Sequence, residues 1–98
     1  MAFALEFSRR AAIDLKRIRT WVAEQADSDV ADGYLKRILD QCAGLTEFPF
    51  RGTPRLGSGE YRSVSFERTL IILYRVRTDR VTIVRILHGS RDNQAILG

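Results

Sequence analysis

The chain has a single cysteine, Cys42, among its 98 residues. No disulfide can form within one copy, and the expectation is a protein of a reducing compartment, the cytoplasm. It has one histidine, His88, and no cluster of cysteines. The ligand spacings of a metal site are therefore missing, as is any Gly-rich phosphate loop, and no metal or cofactor is expected. No apolar run reaches the roughly 18 to 20 residues that a membrane span needs, so no membrane partner is expected. The opening Met1-Ala2-Phe3-Ala4-Leu5-Glu6 lacks a basic segment followed by a long apolar core, and does not read as a secretory signal. Lysine is scarce too, with only Lys16 and Lys36. Both prolines, Pro49 and Pro54, fall in one stretch, which leaves the rest of the chain free to form regular elements.

What is present is an ordinary globular composition, 45% hydrophobic and 29% charged, enough for one domain with a modest core. The formal charge of +4 is unevenly spread. Residues 1–50 carry seven basic and eight acidic side chains, whereas residues 51–98 carry nine basic and four acidic ones. Every basic residue of the second half is arginine. Arginine keeps its charge at all relevant pH values and grips carboxylate or phosphate with a planar fork. The second half should attract something anionic, either nucleic acid or an acidic polypeptide.

The strongest secondary-structure signal lies in the last third. Leu70 to Val76 and Val81 to Leu87 are runs of β-branched, aliphatic and aromatic residues without Gly or Pro, separated by Thr78-Asp79, which suits a tight hairpin. Tyr61 to Phe66 alternates more loosely, and Glu67-Arg68 supplies a second short connection. The three strands read as an antiparallel meander. Phe3 to Phe7 alternates as a short first strand. Ser8 then stands where a helix N-cap belongs. Ala11, Leu15, Ile18 and Val22 form one apolar stripe at spacings of four, three and four, with Asp14 among the polar positions around it. Asp27-Ser28-Asp29 ends that helix and caps a second, whose stripe is Ala31, Leu35, Ile38, Cys42 and Leu45. Tyr34, Leu39 and Phe48 widen this second stripe. Pro49 is expected to stop the second helix, and Phe48 to Gly59 is read as the one long loop. The predicted fold is α+β: an N-terminal strand, then an αα-hairpin packed on one face of an antiparallel β-meander. Asn93 to Leu97 is a possible short C-terminal helix, with Asp92 as its N-cap.

Cys42 sits on an apolar stripe, where an inert buried thiol is expected. His88, Ser90 and Asp92 are close in sequence, but nothing marks a nucleophile site for a serine-type triad. The remaining candidates are arginines. Arg51 and Arg55 lie on the loop, Arg62 and Arg75 on strands, and Arg91 after the last strand. They are the residues expected to contact an anionic partner. Arginines can stabilise a phosphorane and an imidazole can move a proton, so Arg62 with His88 is the pair a nuclease would use. Period two puts Arg85 with Val81, Ile83 and Leu87, and His88 on the opposite face, unless a bulge intervenes.

These stretches resemble the ParE branch of the RelE/ParE toxin superfamily, the toxin halves of bacterial type II toxin–antitoxin pairs. The similarity runs through "SRRAAIDLKRIRTWV", "EFPFRGTPR", "EYRSVSFERTLIILYRV" and "VRILHGSRD". The last is the most specific, a strand followed by His-Gly-x-Arg-Asp. The resemblance implies a small α+β toxin neutralised by a cognate antitoxin, whose acidic, flexible C-terminal segment folds on binding. It allows for larger toxin–antitoxin hetero-oligomers. ParE-like toxins are associated with poisoning DNA gyrase. RelE-like relatives cut messenger RNA on the ribosome, with basic residues, often lysines, and commonly a tyrosine or histidine near the C-terminus. Here no tyrosine follows Tyr74, so a gyrase-binding toxin that breaks no covalent bond is expected ahead of a ribosome-dependent endoribonuclease.

Overall fold

The computed structural model describes residues 3–57 and 60–89. Strand β1 (Ala4–Phe7) leads into helices α1 (Arg9–Gln25) and α2 (Ser28–Gly44). A short 3-10 turn, Pro49–Arg51, precedes β2 (Thr53–Arg55), β3 (Tyr61–Phe66), β4 (Leu70–Val76) and β5 (Arg80–His88). Arg91, Asp92 and the Asn93 to Leu97 segment lie outside the described residues.

Both helices start where their caps predict. The Ser8 hydroxyl accepts the Ala11 N–H at 3.0 Å, and the Asp27 carboxylate accepts the Val30 N–H at 2.8 Å. Ala11, Ile18 and Val22 of α1 are buried, as are Ala31, Ile38, Cys42 and, just past α2, Leu45. They pack with Leu70, Ile72, Tyr74 and Val76 of β4, and with Val81, Ile83 and Ile86 of β5, into one core. The stripe is narrower than predicted. Leu39 and Phe48 are exposed, so neither widens the buried face. Helix α2 also ends at Gly44, ahead of Pro49, which starts the 3-10 turn instead.

The α+β class holds, with two additions. The sheet has five strands in the order β1-β5-β4-β3-β2, and it is mixed, because β1 runs parallel to β5 while the other pairs are antiparallel. A parallel partner needs a crossover, and the αα-hairpin begins that connection. The second addition is β2, carved from the predicted loop and paired with β3. It includes Pro54, which is tolerated because β2 is an edge strand.

The two hairpin connections fall where expected. The β3–β4 turn places Glu67 and Arg68 at φ 47° and 62°. They are the central residues of a turn closed by the Thr69 N–H on the Phe66 carbonyl at 3.0 Å, and the positive angles that suit the sheet twist are met here without glycine. Arg37 of α2 holds Glu67 through two hydrogen bonds, at 2.8 and 3.2 Å. No helix of the described residues is long and apolar enough to cross a membrane.

Candidate functional site

The sheet face away from the core carries the polar residues. Pairing registers align Arg55, Tyr61, Arg75, Thr82 and Glu6 in one row across all five strands. The row above contains Thr53, Ser63 and Leu73, and the next contains Ser65, Ile71 and Leu87. In the first row, Arg55 Nε donates to Ser63 Oγ at 2.8 Å. Arg75 Nη1 donates to Tyr61 Oη at 3.4 Å, and its guanidinium lies 5.9 Å from the Tyr61 ring centroid. Arg75 Nε is buried with no hydrogen-bond partner. Thr82 Oγ1 donates to Glu6 Oε1 at 2.9 Å, and Glu6 also pairs with Arg80 at 3.3 Å. Thus the negative charge of this row sits at the β1 edge, and the β2–β4 side is positive. A cleft of about 400 Å³ opens beside it, lined by Gln41, Arg51, Arg55, Ser63 and Ser65 among others. Arg55 and Arg75 therefore share one face of the sheet, and Arg51 lines the cleft with Arg55 at its β2 edge.

Arg62 does not join them. Alternation along β3 turns it to the helix side, opposite Tyr74. There Arg62 Nη1 donates to the Gly52 carbonyl at 2.9 Å and the Phe50 carbonyl at 3.2 Å, and its guanidinium stacks 5.2 Å from the Phe50 ring centroid. The Tyr74 hydroxyl donates to the Pro49 carbonyl at 2.8 Å and accepts the Gly52 N–H at 3.0 Å. Burial pushes the Tyr74 pKa above its ordinary value, so the hydroxyl keeps its proton for this bond. A Cβ at residue 52 would stand 2.8 Å from the Ser63 carbonyl and collide with Tyr74, so only glycine fits this close approach. Sequence reading passed over this pin, because a tyrosine in an apolar strand looks like core.

A bulge does intervene in β5. Leu73 pairs with Arg85 while Tyr74 pairs with Ile83, so Val84 is the extra residue. Beyond Phe7 the strand β1 no longer covers this edge. Ser8 takes over, its N–H bonding the Ile83 carbonyl at 2.8 Å and its hydroxyl bonding the Val84 carbonyl at 2.7 Å. The next edge donor, the Ile86 N–H, is accepted by Asp14 Oδ2 at 2.9 Å. The same carboxylate accepts Arg85 Nε at 2.9 Å and Nη2 at 3.2 Å. That bond raises the Arg85 pKa against the burial that would lower it. Asp14 is thus buried, not a solvent-facing member of α1. The bulge moves Arg85 off the face of Val81 and Ile83, since its β4 partner is Leu73 whereas theirs are Val76 and Tyr74. It lies before Arg85, so Arg85 and His88, whose β4 partner is Leu70, still start from opposite faces. Arg85 meets Asp14, and the His88 ring packs edge-on to Trp21 with centroids 5.6 Å apart.

Arg62 and His88 remain apart. Their β4 partners are Tyr74 and Leu70, four residues or about 13 Å along the strand, on opposite sides of β4. Two groups that far apart cannot hydrogen-bond one scissile phosphate directly. Among the described residues no three His, Cys, Asp or Glu side chains gather to hold a metal ion. Burial pushes the Cys42 thiol up to about 12, so the thiolate that would react or ligate is suppressed.

The profile of the ParE toxins of type II toxin–antitoxin systems, parDE, matches residues 5–93. Toxin ParE1 of Caulobacter vibrioides is 33% identical over 93 residues, covering 93% of this chain and 94% of that protein. The fold is similar to the chromosomal ParDE system from P. aeruginosa, with a TM-score of 0.78 and 23% identity over 91% of this chain and 98% of that one. It is also similar to the toxin–antitoxin complex RelBE2 from Mycobacterium tuberculosis, with a TM-score of 0.67 and 20% identity over 90% and 99% of the two chains.

Proposed function

The chain belongs to the ParE toxin family of type II toxin–antitoxin systems, and from that membership we propose that it arrests growth in the cytoplasm by binding and poisoning DNA gyrase. In this reading it breaks no covalent bond. Its cognate antitoxin neutralises it by laying an acidic, flexible segment over the arginine side of the sheet. Arg51, Arg55 and Arg75 supply the charge for that segment, and Arg91, outside the described residues, is a further candidate by its charge alone.

The observation that carries the non-enzymatic reading is the separation of Arg62 from His88. The one imidazole of the chain packs edge-on against Trp21, while Arg62 is committed to two backbone carbonyls and a phenylalanine ring. A general acid works only within hydrogen-bond reach of the group it protonates, and neither residue completes the other's site. The arginine row, by contrast, matches an extended acidic chain, for which charge complementarity sets orientation and speeds encounter.

Controlled expression without antitoxin tests the proposal. The expected result is growth arrest accompanied by the DNA-damage response, suppressed when gyrase carries a resistance substitution. Arrest with an intact chromosome and ribosome-dependent cleavage of messenger RNA, lost in His88→Ala, would replace this reading with the nuclease one.

A further inference from the structure

The 3-10 turn is held as firmly as a core element, yet it displays apolar rings to water. Four backbone groups of residues 49–52 are tied to the sheet. The Pro49 carbonyl and the Gly52 N–H bond Tyr74, while the Phe50 and Gly52 carbonyls bond Arg62. Phe48 is nonetheless 66% exposed and Phe50 62% exposed. Exposed aromatics on a mobile loop need no special account, but rings fixed in the open on a pinned backbone are arranged for contact.

Phe50 also forms one wall of a cleft of about 620 Å³ at the end of the sheet where β4 turns into β5. Phe3 and Val76 give that cleft an apolar floor, and Arg62, Arg77 and Glu60 stand at its rim. Arg77 pairs with Glu60 at 2.6 Å. Two guanidiniums against one carboxylate leave the rim net positive.

We propose that this cleft, with the Phe48–Phe50 knuckle beside it, is the surface by which the toxin grips its protein target, and that it receives an apolar side chain flanked by acidic residues on a folded surface of that target. The inference rests on the proposed mode of action, in which the target is a protein. Two features point to the target and not to the antitoxin segment. The cleft is a shallow, preformed surface beside the pinned turn, so it suits a folded partner presenting a single anchor, which loses little entropy on docking. Arg55 and Arg75 share one row on the other face of the sheet, which suits an extended chain. The floor chemistry selects the apolar anchor, and the rim charge selects its acidic flank. Aromatic residues and arginines in this arrangement are the usual carriers of interface energy.

The test uses the full chain, because Phe48 and Phe50 are exposed and their replacement leaves the core intact. The Phe48→Ser/Phe50→Ser variant should need about 30-fold more protein to halve growth on controlled expression. Its affinity for the co-purified cognate antitoxin should stay within about threefold of the parent's. Arg77→Glu should weaken toxicity in the same direction, because it reverses the rim charge facing the acidic flank. Thermal melts confirm that both variants are folded. A serine variant as toxic as the parent overturns the proposal, as does one whose antitoxin affinity falls along with its toxicity. A parent chain that arrests nothing overturns it too. If the parent arrests growth without affecting supercoiling, the gyrase reading fails alone, and the same growth readout still decides whether the cleft is the grip.

Discussion

Replacing Asp14 by alanine should be among the most destabilising single changes in α1, and its size can be worked from the contacts. The carboxylate is buried at 7% exposure and accepts three hydrogen bonds, two from Arg85 and one from the Ile86 backbone N–H. Ile86 is 2% exposed, so its orphaned N–H has no route to water and costs about 1–2 kcal/mol. The Arg85 side chain is 23% exposed, so part of its fork can be rehydrated. Its loss is put at about 1.5–2 kcal/mol, below the figure for a fully buried pair. Alanine's better helix propensity returns about 0.6 kcal/mol. The net is a loss of about 2–3 kcal/mol. In a domain of this size that lowers Tm by roughly 10–20 °C.

Asp14→Asn separates the two parts. Its amide oxygen can still accept the Ile86 N–H, so only the charge-assisted part of the Arg85 contact is lost, about 1–1.5 kcal/mol. Urea denaturation of the three proteins should rank them parent, Asn, Ala, with unchanged slopes. An alanine variant within 1 kcal/mol of the parent, or an asparagine variant as weak as the alanine one, would refute the idea that this carboxylate closes the sheet edge at the bulge.

Three further outcomes follow from the same reasoning. Gly52→Ala should cost about 3 kcal/mol by urea melt, because the methyl meets the Ser63 carbonyl and displaces the Tyr74 hydroxyl from its bonds. Arg68→Gly should stabilise by about 0.5–1 kcal/mol, since the residue holds φ 62° and glycine adopts that angle without steric cost. Cys42 should resist alkylation in the native state at pH 8–9 and react at once in urea. Its folded pKa, about 12, lies above the ordinary 9.0. The unfolded state therefore loses the thiol proton first, and native stability should fall between those two pH values, by up to about 1.4 kcal/mol per unit. Cys42→Ala should remove that part of the alkaline slope.

Much of the fold was legible because local chemistry and tertiary packing agreed. Ser8 and Asp27 are caps by side-chain type, and they cap. Leu70 to Val76 reads as a strand covered on its faces, and it is the middle strand of the five. What escaped depended on contacts distant in sequence. Nothing in Phe3 to Phe7 says that it pairs with residues 80–83 in parallel, since alternation carries no direction. The strand Thr53–Arg55 is three residues long and includes a proline, so local propensity argued against it until β3 supplied a partner. Asp14 looked like a polar residue beside the apolar stripe. Only the bulge at Val84, invisible in a regular alternation, creates the donor that draws it inward.

The candidate site was legible in its parts and not in its grouping. Arg51, Arg55 and Arg75 were picked for charge; Arg55 and Arg75 share one row of the sheet, while Arg51 sits on the 3-10 turn at its edge. Arg62 was picked for the same reason and serves the opposite side, where it holds the 49–52 backbone. Exposure is what distinguishes Phe48 and Phe50 from core aromatics, and sequence does not report it. By sequence Phe48 widens the second helix's stripe and Phe50 is a loop residue.

The most direct test of a toxin that acts by binding is a supercoiling assay with purified protein, run beside a ribosome-programmed RNA integrity assay on the same preparation. The expected outcome is dose-dependent inhibition of gyrase supercoiling, unaffected by His88→Ala, with intact messenger RNA. Normal supercoiling together with cleaved RNA, abolished by that substitution, would contradict the account.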